Sequence, residues 1–243
     1  MNQTAGNSLT KPVSEQQIAG MFDRIAGRYD FLNRLLSARQ DERWRKHMVE
    51  RIPYRPRGRL LDVATGTGDV LLQACRKRTE YAEFIGVDIS GEMLLRADKK
   101  ACRAGRHRAT EFLSMSAMDL KFPGESTDCI TIAFGLRNVV DRNIAIQEFA
   151  RVLRPDGKLI ILEFFTPQQS LVARTFEFYF HYILPQIGGL FSDRKAYQYL
   201  PKSVGNFESP DRIKDFMSDA GLMLREDKGY LFGGCRLLVA QKK

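Results

Sequence analysis

An acid, a glycine turn and a second acid stand along this sequence at the intervals a ligand-binding strand end requires. Arg59-Leu60-Leu61-Asp62-Val63-Ala64 reads as a short apolar strand, and Thr65-Gly66-Thr67-Gly68-Asp69 as the turn that opens a helix behind it. Glycines there let a ligand approach the backbone and the first N–H groups of the helix closely. A lone Gly-x-Gly serves a dinucleotide as well as other nucleosides, so the neighbouring residues must decide. The dinucleotide fingerprint needs a third glycine three positions after Gly68, and that position is Leu71. Asp62 sets a carboxylate on the ligand side of the strand end, which repels a pyrophosphate but suits an ammonium group held through water or backbone. The sign of the charge therefore favours S-adenosylmethionine.

Asp88 closes the next strand, Phe84-Ile85-Gly86-Val87-Asp88, where a carboxylate can accept both ribose hydroxyls. The competing reading makes it a cap for the helix that begins near Gly91. Ser116 and Ala117, in Ser116-Ala117-Met118-Asp119 after the third strand, occupy the place of an adenine contact, although Ser and Asp in a loop also form turns. Phe134, at the end of the fourth strand, can face a sulfonium through its ring or serve as plain core. The donor-site candidates are thus Asp62, Gly66, Thr67, Gly68, Asp88, Ser116 and Ala117.

These residues need a parallel sheet to hold them, and the chain has the pattern for one. Short apolar runs near 59–64, 83–88, 109–115, 127–134 and 158–164 alternate with helical spacing near 69–79, 91–104 and 142–153. A helix near 210–220 and strands near 223–228 and 231–240 complete an α/β, Rossmann-like doubly wound sheet whose last strand is antiparallel. The expected plan is a single domain of 243 residues: a flexible tail over 1–13, a helical cap over 14–52, a cofactor-binding core over 53–164, a lid insertion over 165–208 and a C-terminal helix and strands over 209–243.

With 44% hydrophobic and 28% charged residues, the composition excludes a disordered or fibrous chain. The four cysteines, Cys75, Cys102, Cys129 and Cys235, form no CxxC pair, so neither a zinc site nor a disulfide framework is expected. No apolar run reaches the roughly 20 residues of a membrane span, and Met1–Val13 lacks a signal or transit pattern. These features point to a bacterial cytoplasm. The net charge of +9 is concentrated from Arg34 to Arg59 and from Arg96 to Arg108. Such a surface attracts nucleic acid or an anionic membrane, or is simply a solvated face.

Four longer motifs resemble the ubiquinone/menaquinone C-methyltransferase family, in particular its demethylmenaquinone-methylating type. They are Tyr29-Asp30-Phe31-Leu32-Asn33 with Ser37 and Trp44; Phe134-Gly135-Leu136-Arg137-Asn138-Val139; Arg151-Val152-Leu153-Arg154-Pro155 leading to Glu163-Phe164; and Phe180-His181-Tyr182-Ile183-Leu184-Pro185 with Ile187-Gly188. The resemblance spans roughly residues 20–240. It implies cofactor contacts at Thr67, Asp88 and the Ser116-Ala117 pair. Departures are Leu32 and Asp41 in the first motif, Ala133 where the family has a serine, and Phe165 after Glu163. The missing hydroxyl at 133 removes one cofactor contact from the family pattern.

The resemblance implies transfer of a methyl group to a ring carbon of a polyprenyl hydroquinone, a demethylmenaquinol or its benzoquinol counterpart. An in-line displacement needs the nucleophilic carbon about 3 Å from the methyl with water excluded. Only the reduced ring is electron-rich enough, and losing a phenolic proton strengthens it further. Arg137 is the expected stabiliser of the phenolate, holding a water that takes the proton, and Asn138 orients the ring. Glu163 and His181 are rivals, and His181 reads equally well as a histidine packed within an aromatic helix.

The stretch Leu171–Leu184 is apolar on several faces and must be buried or face lipid. With Phe22, Tyr29 and the residues up to Leu36 it is expected to form a greasy lid, in which Tyr29, Phe134 and Tyr179 touch the substrate; ordinary core packing competes with that reading. A basic face docked on the inner surface of an anionic membrane gives access to such a substrate, and a homodimer is compatible with the sequence. RNA methylation is disfavoured: Gly135-Leu136-Arg137-Asn138 replaces the Asn/Asp-Pro-Pro-aromatic loop, and no room remains for an RNA-binding domain. A non-catalytic protein that keeps the cofactor fold is the remaining alternative.

Overall fold

The structure is a computed structural model that describes residues 14–27, 29–30, 34, 37, 39–167 and 203–243. Among them, helices α1 (Glu15–Ile25) and α2 (Gln40–Glu50) precede strand β1 (Arg59–Val63). Then come α3 (Asp69–Lys77), β2 (Glu83–Asp88), α4 (Gly91–Arg103), β3 (Thr110–Ser114), β4 (Thr127–Ala133), α5 (Arg142–Val152) and β5 (Leu153–Phe164). After the undescribed stretch, α6 (Pro210–Asp219), β6 (Leu222–Tyr230) and β7 (Cys235–Lys242) end the chain.

The strands form one sheet in the order β3-β2-β1-β4-β5-β7-β6. All neighbours pair in parallel except β7, which runs antiparallel to both β5 and β6. The sheet is buried on both faces, so alternate residues of one strand serve different cores. Leu61 and Val63 of β1 join Ile130, Ile132, Phe149 and Met217, whereas Leu60 joins Trp44, Met48, Leu71 and Ile160. Each such fully buried side chain contributes about 1.5–3 kcal/mol.

Helix starts follow local chemistry. Ser14 and Gln17 make a capping box at α1, while Ser90, Asp141 and Ser209 each accept from a backbone N–H of the first turn at α4, α5 and α6. Two sequence-based boundaries are corrected. β5 begins at Leu153 rather than 158, because α5 ends directly into a strand that pairs with Thr127 and absorbs Arg154–Gly157 as an irregularity, with Asp156 at φ 63. The last turn lies at 231–234 instead of 229–230, since Gly229 stays in β6 and pairs with Arg236. The expected lid residues 168–202, with Tyr179 and His181, lie outside the described residues.

Candidate active site

In a sheet of this kind a ligand sits beyond the carboxyl ends of the central strands. There β1, β2 and β4 open onto two adjoining clefts. The larger, of about 600 Å³, is lined by Asp88, Met115, Ala117, Phe134 and Asn138 and is covered by Glu15, Ile18 and Phe22 of α1. The smaller, of about 340 Å³, is polar and takes in Asp62, Thr65, Thr67, Asp69 and Arg45. Gly66, Ala64, Ala133 and Tyr29 border both.

The turn after β1 has the left-handed geometry its glycines permit, with φ 55 at Gly66 and 82 at Gly68. A Cβ on Gly68 would come within 3.1 Å of Ala97, so α3 and α4 pack tightly behind the turn. Gly135 is more constrained still. A Cβ there would meet the Ala64 side chain at 2.5 Å, because the ends of β1 and β4 turn toward each other with Ala64 at φ 50 and Phe134 at φ 57.

Asp62 is buried and accepts hydrogen bonds from Thr65 Oγ1 and Thr131 Oγ1, each 2.6 Å. Burial pushes its carboxyl up to about 6, against the pull of the two hydroxyls and of Arg45. Asp88 accepts from Gly66 N and Ser90 N, both at 2.9 Å, which fixes the carboxylate at the rim of the larger cleft. Burial raises its pKa as well. The N–H partners leave each oxygen further acceptor capacity, as a ribose diol requires.

The N-terminal segment reaches the site in ways the sequence did not disclose. Arg45 of α2 enters the polar cleft, bound to Asp69 Oδ2 at 2.8 Å, with its guanidinium 5.6 Å from the centre of the Phe134 ring. Its Nε is buried and has no hydrogen-bond partner among the described residues. Burial works against the charge of Asp69, yet Arg45 and Lys100 hold that carboxyl below its ordinary range. Thr67 Oγ1 donates to Asp30 and accepts from Lys100 Nζ at 2.8 Å.

Ser116 does not line the cleft, for its hydroxyl donates to Glu15 Oε1 at 2.6 Å; Met115 and Ala117 offer the cleft an apolar wall instead. Asp23 accepts from Ser90 Oγ and Glu92 N. Glu15, Asp23 and Asp30 thus fasten the cap to the rims of both clefts. The sequence placed a helical cap here but not its anchors, which lie 101 and 67 residues along the chain.

In the motif after β4, Arg137 turns inward. Its Nη1 donates to Glu163 Oε1 and to the Phe134 carbonyl, both at 2.6 Å, and its backbone N–H reaches Glu163 Oε2 at 3.2 Å. Glu163, fully buried, also accepts from Phe164 N. Asn138 borders the larger cleft and donates to the Phe134 carbonyl at 3.4 Å. The Phe134 ring stacks on Phe164 at 4.8 Å, and Tyr29 packs edge-on against Phe22 at 6.0 Å.

Against known proteins, the ubiE/COQ5 methyltransferase family matches the chain over residues 10–242. The chain belongs to the ubiE/COQ5 methyltransferase family. It is similar to the ubiquinone/menaquinone biosynthesis C-methyltransferase UbiE of Geotalea daltonii, 46% identical over 227 residues that cover 93% of this chain and 97% of the relative. The demethylmenaquinone methyltransferase of Thermus thermophilus is 43% identical over 206 residues, 84% of this chain and 92% of the relative. A solved SAM-dependent methyltransferase from Aquifex aeolicus superposes with a TM-score of 0.59 at 17% identity, covering 82% of this chain and 89% of that one, a likeness of fold.

As a member of this family the chain is a methyltransferase, and S-adenosylmethionine is its methyl donor. The residues fit that molecule. The unpartnered Arg45 Nε beside the polar cleft suits the donor's carboxylate, the buried acid at Asp62 suits its ammonium, and the cleft edge at Asp88 suits its ribose.

Proposed function

We propose that this enzyme methylates a ring carbon of a reduced polyprenyl quinone precursor, demethylmenaquinol first and its benzoquinol counterpart second. One observation carries the reading. A polar cleft suited to the methionine part of the donor adjoins a larger cleft whose Asp88, Met115 and Ala117 side takes the adenosine, leaving Phe134, Ile18 and Phe22, with Asn138 the amide at its edge, as an apolar wall for a ring. The names of the relatives, which include both ubiquinone and menaquinone biosynthesis, support the same substrate class.

When bound, S-adenosylmethionine supplies a methyl group activated by a sulfonium. Asp62, Thr67 and Arg45 hold the methionine end, Asp88 the ribose, and Ala117 with Met115 the flat base. The apolar wall and the α1 cover exclude water, which keeps the ring rather than solvent as the nucleophile. Asn138 orients a ring hydroxyl, whose proton leaves to a water at the cleft edge; after the methyl group has moved to the ring, the hydrogen on the methylated carbon leaves as a proton, which restores the aromatic ring and lets the oxygen be reprotonated.

Arg137 acts as a positioning residue in this scheme. Its charge is spent on Glu163, and the pair locks the Phe134–Asn138 backbone in its left-handed start. Tyr29 closes the mouth where the two clefts meet. The site is reached from a membrane surface, on which a basic protein docks reversibly. Incubating the pure enzyme with labelled donor and each reduced quinone precursor tests the assignment by product mass. A methylated demethylmenaquinol is expected; methylation of the benzoquinol alone reverses the order of the two substrates, and methylation of neither removes the proposal.

A further inference from the structure

The hairpin joining β6 to β7 carries two large apolar residues where a turn normally carries none. Leu231 and Phe232 adopt φ 47 and 53, and Gly233 follows at 92. Positions of this kind favour Asn, Asp or Gly, because a Cβ is crowded in the left-handed region. Here they hold a leucine 46% exposed and a phenylalanine 82% exposed, so neither is there to fill a core.

The tip also has a defined location. Cys235 pairs with Phe164 at the carboxyl end of β5, and Tyr230 pairs with Cys235, so the turn projects from the same edge of the sheet as the donor cleft. It is rigidly tied to the site. Tyr230 stacks on Trp44 at 5.8 Å, Trp44 packs against Phe134 at 6.4 Å, and Phe134 lines the larger cleft. Gly234 O accepts from Phe165 N, just past the end of β5.

We propose that Leu231 and Phe232 form a tip that inserts into an anionic lipid surface, with Arg43 and Lys228 settling the protein on the headgroups. This rests on the reading of the substrate as a membrane lipid. Charge favours lipid as the occupant. From Lys228 to Lys243 the chain contains no acid, and Lys228 Nζ lies 5.6 Å from the centre of the Tyr230 ring. His47 stacks on that ring at 5.7 Å, and both Lys228 and Arg43 act on its charge. Among the described residues neither Arg43 nor Lys228 has an ion-pair partner. The nearest acids along the strand are neutralised, Glu226 by Arg51 and Asp227 by Arg236 and Lys214. An apolar pair framed by such cations matches the boundary of an anionic bilayer, where side chains of this type insert while Lys and Arg stay at headgroup level.

The test uses the whole enzyme and vesicles of phosphatidylcholine with or without phosphatidylglycerol. Trp44 is the only native tryptophan and is buried, so Phe232→Trp adds a reporter at the tip. Its emission should shift to the blue and be quenched by brominated acyl chains in the anionic vesicles. The double change Leu231→Asn with Phe232→Gly supplies the residues the turn geometry prefers, so its melting temperature should be equal or higher. Its co-sedimentation with anionic vesicles should nevertheless fall at least about tenfold, as loss of the buried apolar area predicts. Arg43→Glu with Lys228→Glu should abolish the preference for phosphatidylglycerol. Unquenched emission from the introduced tryptophan, or a double variant that binds vesicles as the parent does, overturns the proposal. So does a concentration-dependent dimer lost in the double variant, since a second copy would then be the occupant. Turnover of a water-soluble short-tailed quinol should be the same in parent and double variant. If that turnover is absent from the parent, the substrate assignment fails while the vesicle result still stands on its own.

Discussion

At the residue scale the donor site depends on an acid that is costly to ionise. The carboxyl of Asp62 is raised to about 6 by burial, so in the donor-free protein the group opposes folding increasingly as pH rises from 3.8 toward 6. Donor binding runs the other way, because an ammonium beside Asp62 favours the ionised form. Affinity for S-adenosylmethionine should therefore rise with pH through about 6 and level off above it, with proton release on binding at lower pH, as calorimetry in buffers of different ionisation heat will show. Asp62→Asn should weaken donor binding about tenfold or more without lowering the melting temperature at neutral pH. The Arg137–Glu163 pair is a different case. Removing one partner leaves a buried charge, so Glu163→Ala should cost about 3–5 kcal/mol in urea unfolding. Arg137→Lys should keep the charge but lose the fork, lowering kcat while donor affinity stays within about twofold. That Asp62 and Asp88 would line a cleft was legible in the sequence, because each stands at the end of an apolar strand just before the turn that opens a helix. Arg45 was not, since nothing separates one arginine from its neighbours in a basic stretch until Asp41, Trp44 and Met48 bury the side of α2 on which Arg45 lies.

At the scale of elements, the alternation of apolar runs and helical spacing made β1 to β4 and their helices readable almost to the residue. Two boundaries escaped for identifiable reasons. Arg154-Pro155-Asp156-Gly157 has the composition of a free turn but is held in β5 by pairing on either side, and Gly229 looked like the hairpin turn that Leu231 and Phe232 in fact make. A covering role for the N-terminal segment was expected from its helical pattern and Phe22, but the anchors of α1 were not. A helix pattern reveals a buried face, here around Ile18, but not which polar groups lie beneath it. The acids Glu15 and Asp23 bond groups that belong to the donor cleft, so cover and cleft should tighten together. Adding donor should slow amide exchange in α1, and Glu15→Gln with Asp23→Asn should speed donor release several-fold with little change in global stability, as stopped-flow and exchange measurements will show. The junction of β1 and β4 is stiffer. Gly135→Ala places a methyl 2.5 Å from Ala64, which should destabilise the protein by about 1–3 kcal/mol and reduce donor affinity, because the Ala64–Gly66 turn must yield.

For the whole molecule, fold and chemistry are separate questions. A doubly wound sheet of this type hosts many activities, and the family is what makes this one a methyltransferase. The sheet positions the clefts and the cap covers them, while a net charge of +9 and an exposed apolar hairpin tip are the features the proposed lipid contact uses. No helix among the described residues is long and apolar enough to cross a membrane. The most direct measurement compares the two oxidation states of one substrate. Enzyme is incubated anaerobically with labelled S-adenosylmethionine and demethylmenaquinone, either reduced with dithionite or left oxidised, and the extracted quinone is analysed by mass. Label on a ring carbon of the reduced compound, with none on the oxidised one, is the predicted result. Equal labelling of both, or label appearing on a ring oxygen, contradicts an electron-rich carbon as the nucleophile and with it the proposed reaction.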